Sequence, residues 1–153
     1  MIEERFHFGL PEEARKIREE VFTKEQGFPA EIDVDAHDAE SWHLVLFYNG
    51  VPIATGRAYA IDPETYQLGR IAVLKPYRGK KVGTYLLKFL CFKCRSLGAR
   101  KVYLDSQLDK TPFYRSCGFR EDPSGEVFFE EGVPHIKMGK LLVKGAGLRL
   151  FEE

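Results

Sequence analysis

The chain has 153 residues, long enough to bury a hydrophobic core without metals or disulfide staples. Its 44% hydrophobic content, with 12 Phe and 7 Tyr, excludes a disordered chain, and 23 Lys plus Arg against 23 Asp plus Glu leave no basic excess for nucleic acid. No apolar run approaches the roughly 20 residues of a membrane span, and Met1-Ile2-Glu3-Glu4-Arg5 lacks a secretory layout, so one soluble cytoplasmic domain over residues 1–153 is expected, with no membrane or nucleic-acid partner.

Ile2 to Phe8 alternates apolar and polar residues and predicts a first strand. From Pro11 to about Phe22, Ala14, Ile17, Val21 and Phe22 recur at helical spacing, and Thr23 to Pro29 then breaks the helix. The acidic run Glu31 to Glu40 is too polar and irregular for a core element and reads as a solvated loop or a cover for a substrate cleft. Trp42 to Tyr48 and Val51 to Ile61 are strand-like, separated by the hairpin signal Asn49-Gly50. Gln67 to Leu74 predicts a third strand of this series.

The next residues, Lys75-Pro76-Tyr77-Arg78-Gly79-Lys80-Lys81, form a basic glycine-bearing turn. A helix follows over Val82–Leu97, with Val82, Leu86, Leu87, Leu90, Cys91 and Cys94 on one face and Gly98 as its terminator. Strand, basic turn and helix start together suit a pyrophosphate: the turn offers unobstructed N–H groups and the helix adds its own unpaired ones. This reading does not separate coenzyme A from a nucleotide. It does reject a P-loop NTPase, because no Gly-Lys followed by Ser or Thr opens the helix.

Lys101 to Leu104 predicts a short strand and Thr111 to Cys117 a short helix ending at Gly118. Phe119 onward and Ile136 to Val143 read as two final strands joined by a loop rich in Glu and Gly. The alternation argues a mixed α/β sheet covered by helices, with a parallel crossover through residues 82–97. Cys91, Cys94 and Cys117 form no disulfide framework, and the C-x-x-C lies in a helical pattern, so Cys91 and Cys94 are expected to face the core. No metal-site spacing accompanies them. The tail Gly145 to Phe151 is apolar enough to pair with another subunit or to cover the sheet, which leaves monomer and homodimer open.

Ile71 to Gly83 resembles the acyl-CoA pyrophosphate motif of the GNAT superfamily of N-acetyltransferases: Arg or Gln, two residues, Gly, one residue, then Gly or Ala. It falls on Arg78, Gly79, Lys80, Lys81, Val82 and Gly83, with Lys81 where the family usually has Gly. Asp105-Ser106-Gln107 with Phe113-Tyr114 and Gly118-Phe119 is similar to the family's later strand and helix. The run Gly125 to Met138, with Arg18 to Phe22 and Glu25-Gln26-Gly27, resembles the small bacterial ElaA-like subgroup.

The resemblance implies an α/β (α+β) fold with a mixed, mostly antiparallel sheet of about six to seven strands, a central parallel splayed pair and about four helices. It implies direct transfer of an acetyl group from acetyl-CoA, a co-substrate, to a primary amine, with no metal. Ile71, Ala72 and Val73 would present backbone to the pantetheine arm; Arg78, Gly79, Lys80, Lys81, Val82, Gly83 and Thr84 would bind the pyrophosphate; Gln107 would join the cofactor site. Tyr114 matches the position that places a phenol near the CoA sulfur, as general acid, and backbone N–H groups near Val73 would polarise the thioester carbonyl. Candidate bases are His135 first, then Glu25, which also suits plain amine binding, and His43, for which packing beside Trp42 is the stronger explanation. The rival reading is a non-catalytic acyl-CoA-binding sensor. The acidic run points weakly to a cationic acceptor.

Overall fold

A computed structural model describes residues 1–145 and 147–151; Ala146 of the tail lies outside the described residues. The predicted strands Ile2–Phe8 (β1) and Trp42–Tyr48 (β2) form and pair antiparallel, and Val51–Asp62 (β3) joins β2 through Asn49 and Gly50, both at positive φ (48° and 82°) as a tight hairpin turn requires. Thr65–Val73 (β4) pairs antiparallel with β3. The helix Val82–Ser96 (α3) then crosses over to Lys101–Gln107 (β5), which runs parallel to β4.

The sheet has eight strands, in the order β1-β2-β3-β4-β5 followed by Val133–Leu141 (β8) and Arg120–Glu121 (β6), while Val127–Glu130 (β7) also pairs with β8. The count exceeds the expected six to seven because the stretch after Phe119 splits in two. Pro123 and a turn closed by Gly125 N–H on Asp122 O (2.9 Å) interrupt it. β5 also runs three residues past Leu104, since Asp105, Ser106 and Gln107 pair with Lys137, Ile136 and His135 of β8. Among the described residues there are four α-helices: Glu12–Arg18 (α1), Ala30–Asp33 (α2), α3, and Thr111–Ser116 (α4).

Side chains alternate across the sheet, and helices cover both faces. Leu44, Leu46, Ala58, Leu68, Val102, Leu104 and Met138 pack with Leu86, Leu87 and Leu90 of α3. Val45, Phe47 and Ala72 pack with Ala14, Ile17 and Val21. Gly56 lets α3 approach β3, for a Cβ there would lie 2.8 Å from Leu90 Cδ1 and 2.9 Å from Ile71 Cδ1. Cys91 and Cys94 are buried on α3, and burial pushes the Cys91 thiol up to about 11, so both stay unreactive thiols. Leu150 and Phe151 are buried against Tyr103, so that part of the tail covers the sheet.

Two local readings are corrected. The first helix does not end near Phe22; α1 continues as π-helical turns over Glu19–Glu25, with Gln26 N–H reaching Val21 O five residues back (3.1 Å), and stops at Gly27 (φ 80°). The acidic run is not a solvated loop. It folds as α2 and a 3₁₀ turn, Ala36–Glu40, that bury Asp33 and Asp38 under three arginines. Arg18, 1% exposed, donates to Asp33 Oδ2 (3.1 Å) and to both oxygens of Asp38 (2.8 and 3.0 Å). Arg57 donates to Asp35 (2.6 and 2.9 Å) and Asp38 (3.0 Å), and Arg70 to Asp35 (3.2 Å). Buried charges persist when paired in this way.

Candidate active site

β4 and β5 begin as neighbours and part. Their ladder pairs Thr65 with Lys101, Tyr66 with Val102 and Gln67 with Tyr103, and ends there. The cause lies on the other edge of β4, where Gly69 opposes Arg57 but Ala72 opposes Thr55, so Arg70 and Ile71 bulge against Gly56 alone. Arg70 takes a φ of 50° and its guanidinium bonds Asp33 O (3.1 Å), anchoring the bulge to the acidic segment.

Beyond the bulge Val73 stands opposite Ala54, and the adjacent ladder bond runs from Leu74 N–H to Ile53 O (2.9 Å). This register directs Val73's own N–H and C=O away from β3 and into the splay. Ile71 and Val73 send half-buried side chains to the α3 core, and Ala72 is buried on the α1 side. The backbone of this stretch is what the cleft can use.

The turn at the mouth of the splay holds Gly79 at φ 75° and Lys81 at φ 63°, so Lys81 adopts the left-handed conformation for which glycine is the natural choice. Its side chain is exposed, with those of Lys80 and Arg78. No side chain caps α3, and the first N–H bonded at this end is that of Tyr85, to Lys81 O (3.1 Å). The preceding amides therefore remain available for an anion, with the positive end of a 15-residue helix behind them. Val82 is buried, and Gly83 is bare because the Phe113 ring sits where its Cβ would be, 3.0 Å from Cζ. Thr84, half-buried, lines a small cavity of about 170 Å³ with Lys88 and Cys117. These features fit a phosphorylated ligand.

Tyr114 follows Phe113 on α4. It is 7% exposed, edge-on to Phe113 and Phe119, and burial pushes its phenol well above the ordinary value. His135 is 5% exposed on β8, opposite Gln107 at the end of β5, and stacked on Phe128. Its Nδ1 lies 2.8 Å from Val133 O; a carbonyl only accepts, so Nδ1 carries a proton, and Nε2 lies 3.8 Å from Glu130.

The other two candidate bases are otherwise engaged. His43 Nε2 bonds Asp38 O (2.9 Å) inside the ion-pair network, and burial lowers its pKa, a packing role. Glu25 is held by the Arg78 guanidinium (2.5 and 2.7 Å), which keeps its carboxyl below the usual carboxylate range and makes it a poor proton acceptor. Gln107 reaches the same segment, donating to Gln26 Oε1 (3.1 Å). Beside Glu25 a depression of about 500 Å³ runs between Glu20, Val21 and Lys24 and Leu74, Lys75 and Pro76.

Sequence reasoning missed Asp105, solvent-reachable on β5 within the splay, whose pKa burial and Glu130 raise while Lys137 and His135 lower it. The alternation of Leu104, Asp105 and Ser106 was the available signal. It also missed Arg70, for which no local pattern exists. Among the described residues, no group of three or more His, Cys, Asp or Glu is arranged to hold a metal ion, and no helix is long and apolar enough to cross a membrane.

A family model described as the acetyltransferase (GNAT) family matches residues 10–119. The chain is 37% identical over 124 residues to the uncharacterized N-acetyltransferase YjcF of Bacillus subtilis, covering 81% of this chain and 87% of YjcF. The crystal structure of Escherichia coli ElaA superposes with a TM-score of 0.79 at 30% identity, covering 92% of this chain and 99% of ElaA. A GNAT family acetyltransferase from Elizabethkingia anophelis, solved with acetyl-CoA bound, shares the fold at a TM-score of 0.70 and 20% identity, over 92% of this chain and 97% of that one.

Proposed function

Because the chain belongs to the GNAT family of acetyltransferases, and is thus a GNAT-type N-acyltransferase, we propose that it moves an acetyl group from acetyl-CoA directly to a primary amine of a small molecule or peptide. The observation that carries this reading is a run of backbone presented to the cleft: the uncapped amides of residues 79–84 at the start of α3, and the N–H of Val73 turned into the splay. Such a run suits a long ligand with a phosphate end and an amide-bearing arm, and the acetyl-CoA bound by the Elizabethkingia protein has both.

In this reading Arg78, Gly79, Lys80, Lys81, Val82, Gly83 and Thr84 hold the pyrophosphate, Ile71 to Val73 and Gln107 hold the arm, and the thioester supplies an activated acetyl group. Val73 N–H donates to the thioester oxygen as charge develops on it. An alkylammonium is not a nucleophile, so its proton must leave first. His135 accepts that proton at Nε2, which lies 3.8 Å from Glu130. Tyr114, kept protonated by its burial, gives its phenolic proton to the departing sulfur, and the second proton, shed by the nitrogen as the C–S bond breaks and the amide forms, returns to the phenolate.

The test is calorimetric titration of the purified protein with acetyl-CoA, followed by thiol release on presentation of an amine panel. Binding with amine-dependent release is expected. Absence of binding would refute the reading, and binding without release from any amine would leave a sensor.

A further inference from the structure

The phosphate site already has an occupant. Arg78 directs all three guanidinium nitrogens at the protein: Nη1 and Nη2 to the two oxygens of Glu25 (2.5 and 2.7 Å) and Nε to the Val73 carbonyl (2.9 Å), one of the groups turned into the splay. The next residue, Gln26, bonds Gln107 at the end of β5 (3.1 Å). Residues 25 and 26 thus tie to opposite walls of one cleft, the turn after β4 and the tip of β5.

The segment that makes these ties is built to give. It is the end of a π-helical stretch, whose hydrogen bonds reach back five residues instead of four, and Gly27 at φ 80° provides a swivel behind it. Both Glu25 and Arg78 are more than a third exposed in their side chains, so the pair is reachable from solvent. Lys75 and Lys110 are close enough to act on Glu25 electrostatically, so with Arg78 three cations bear on its carboxylate.

We propose that Glu25 is an internal stand-in for phosphate, and that Glu25-Gln26 is a strap across the mouth of the splay which acyl-CoA displaces as it binds. A carboxylate brings one negative charge to Arg78, whereas a pyrophosphate brings more charge and several oxygens, so the exchange favours the ligand. Displacement frees both Arg78 for the phosphates and the Val73 carbonyl for the pantetheine arm. The strap sets cofactor affinity below what the bare site would have and closes the cleft while it is empty. This inference rests on the assignment of the turn to acyl-CoA.

The test is a double-mutant cycle by calorimetry with acetyl-CoA, using the wild type, Glu25→Gln, Arg78→Gln and the double variant, with unfolding midpoints taken to show that each folds. Removal of a competing, solvent-screened ion pair predicts roughly two- to fivefold tighter binding by Glu25→Gln, and no tightening when Arg78 is already Gln. Unchanged or weaker binding by Glu25→Gln, or equal tightening in both backgrounds, overturns it while leaving the cofactor assignment standing. If no variant binds acetyl-CoA, the cofactor assignment itself fails and the strap falls with it.

Discussion

Replacing Asp38 by Asn removes one negative charge from the buried network at almost constant volume. Asp38, 3% exposed, accepts Arg18 Nη1 and Nη2 (2.8 and 3.0 Å), Arg57 Nη1 (3.0 Å) and the Asp35 N–H (3.1 Å). Breaking one partner out of a buried ion pair costs about 3–5 kcal/mol. Arg57 keeps Asp35 and Arg18 keeps Asp33, so the lower end, about 3 kcal/mol, is expected. For a chain of this size that lowers the thermal midpoint by roughly 6–12 °C.

The pH dependence supplies a second readout. Burial works against the Asp38 carboxylate, but the bonds and charge of Arg18, the Asp35 N–H and the charge of Arg57 outweigh it and hold the carboxyl well below its usual range. A depressed folded pKa means that this stabilisation is complete above the unfolded value of about 4 and is lost as the pH falls through it towards the folded value. The wild type should therefore lose stability in acid faster than Asp38→Asn, and the gap between them should narrow below about pH 4. Denaturant melts from pH 3 to 8 measure both. A loss under about 1 kcal/mol at neutral pH, or a gap constant with pH, would refute the view that buried charge pairs hold this segment down.

The remaining expectations concern the turn, the core and the chemistry. Lys81→Gly removes a left-handed non-glycine residue costing about 1–2 kcal/mol while adding about 0.5–1 kcal/mol of unfolded-state entropy, so equilibrium unfolding should show a gain of up to about 1.5 kcal/mol, and a loss would mean that the Lys81 side chain makes stabilising contacts. Gly56→Ala forces a methyl into Leu90 and Ile71 and should cost about 1–3 kcal/mol in the same assay; a neutral result would show that α3 can move off β3. Tyr114→Phe should lower kcat about a hundredfold or more while acetyl-CoA titrates as in the wild type, and a kcat within about threefold would remove Tyr114 as the acid.

Elements whose information is local were legible. The alternation of β1, the strand-like apolar run of β2, the Asn49-Gly50 turn and the apolar face of α3 are short-range patterns, and each element formed. The basic turn between strand and helix was legible for the same reason, since its glycines and cations are contiguous in sequence. The acidic segment was misread because Asp33, Asp35 and Asp38 have the composition of a loop, and their partners Arg18, Arg57 and Arg70 lie 15 to 37 residues away. The last strands were miscounted because β6 has two residues, too few to show a period.

What the amino-acid sequence determined by itself was therefore the order of elements and the basic turn proposed to hold an anion, because periodicity, turn chemistry and helix starts are written within a few residues. What only the tertiary structure decided was which charges meet. Glu25 finds Arg78 across 53 positions and Gln26 finds Gln107 across 81, and no local pattern encodes such pairings, which arise when the packed sheet brings distant strand ends to one mouth.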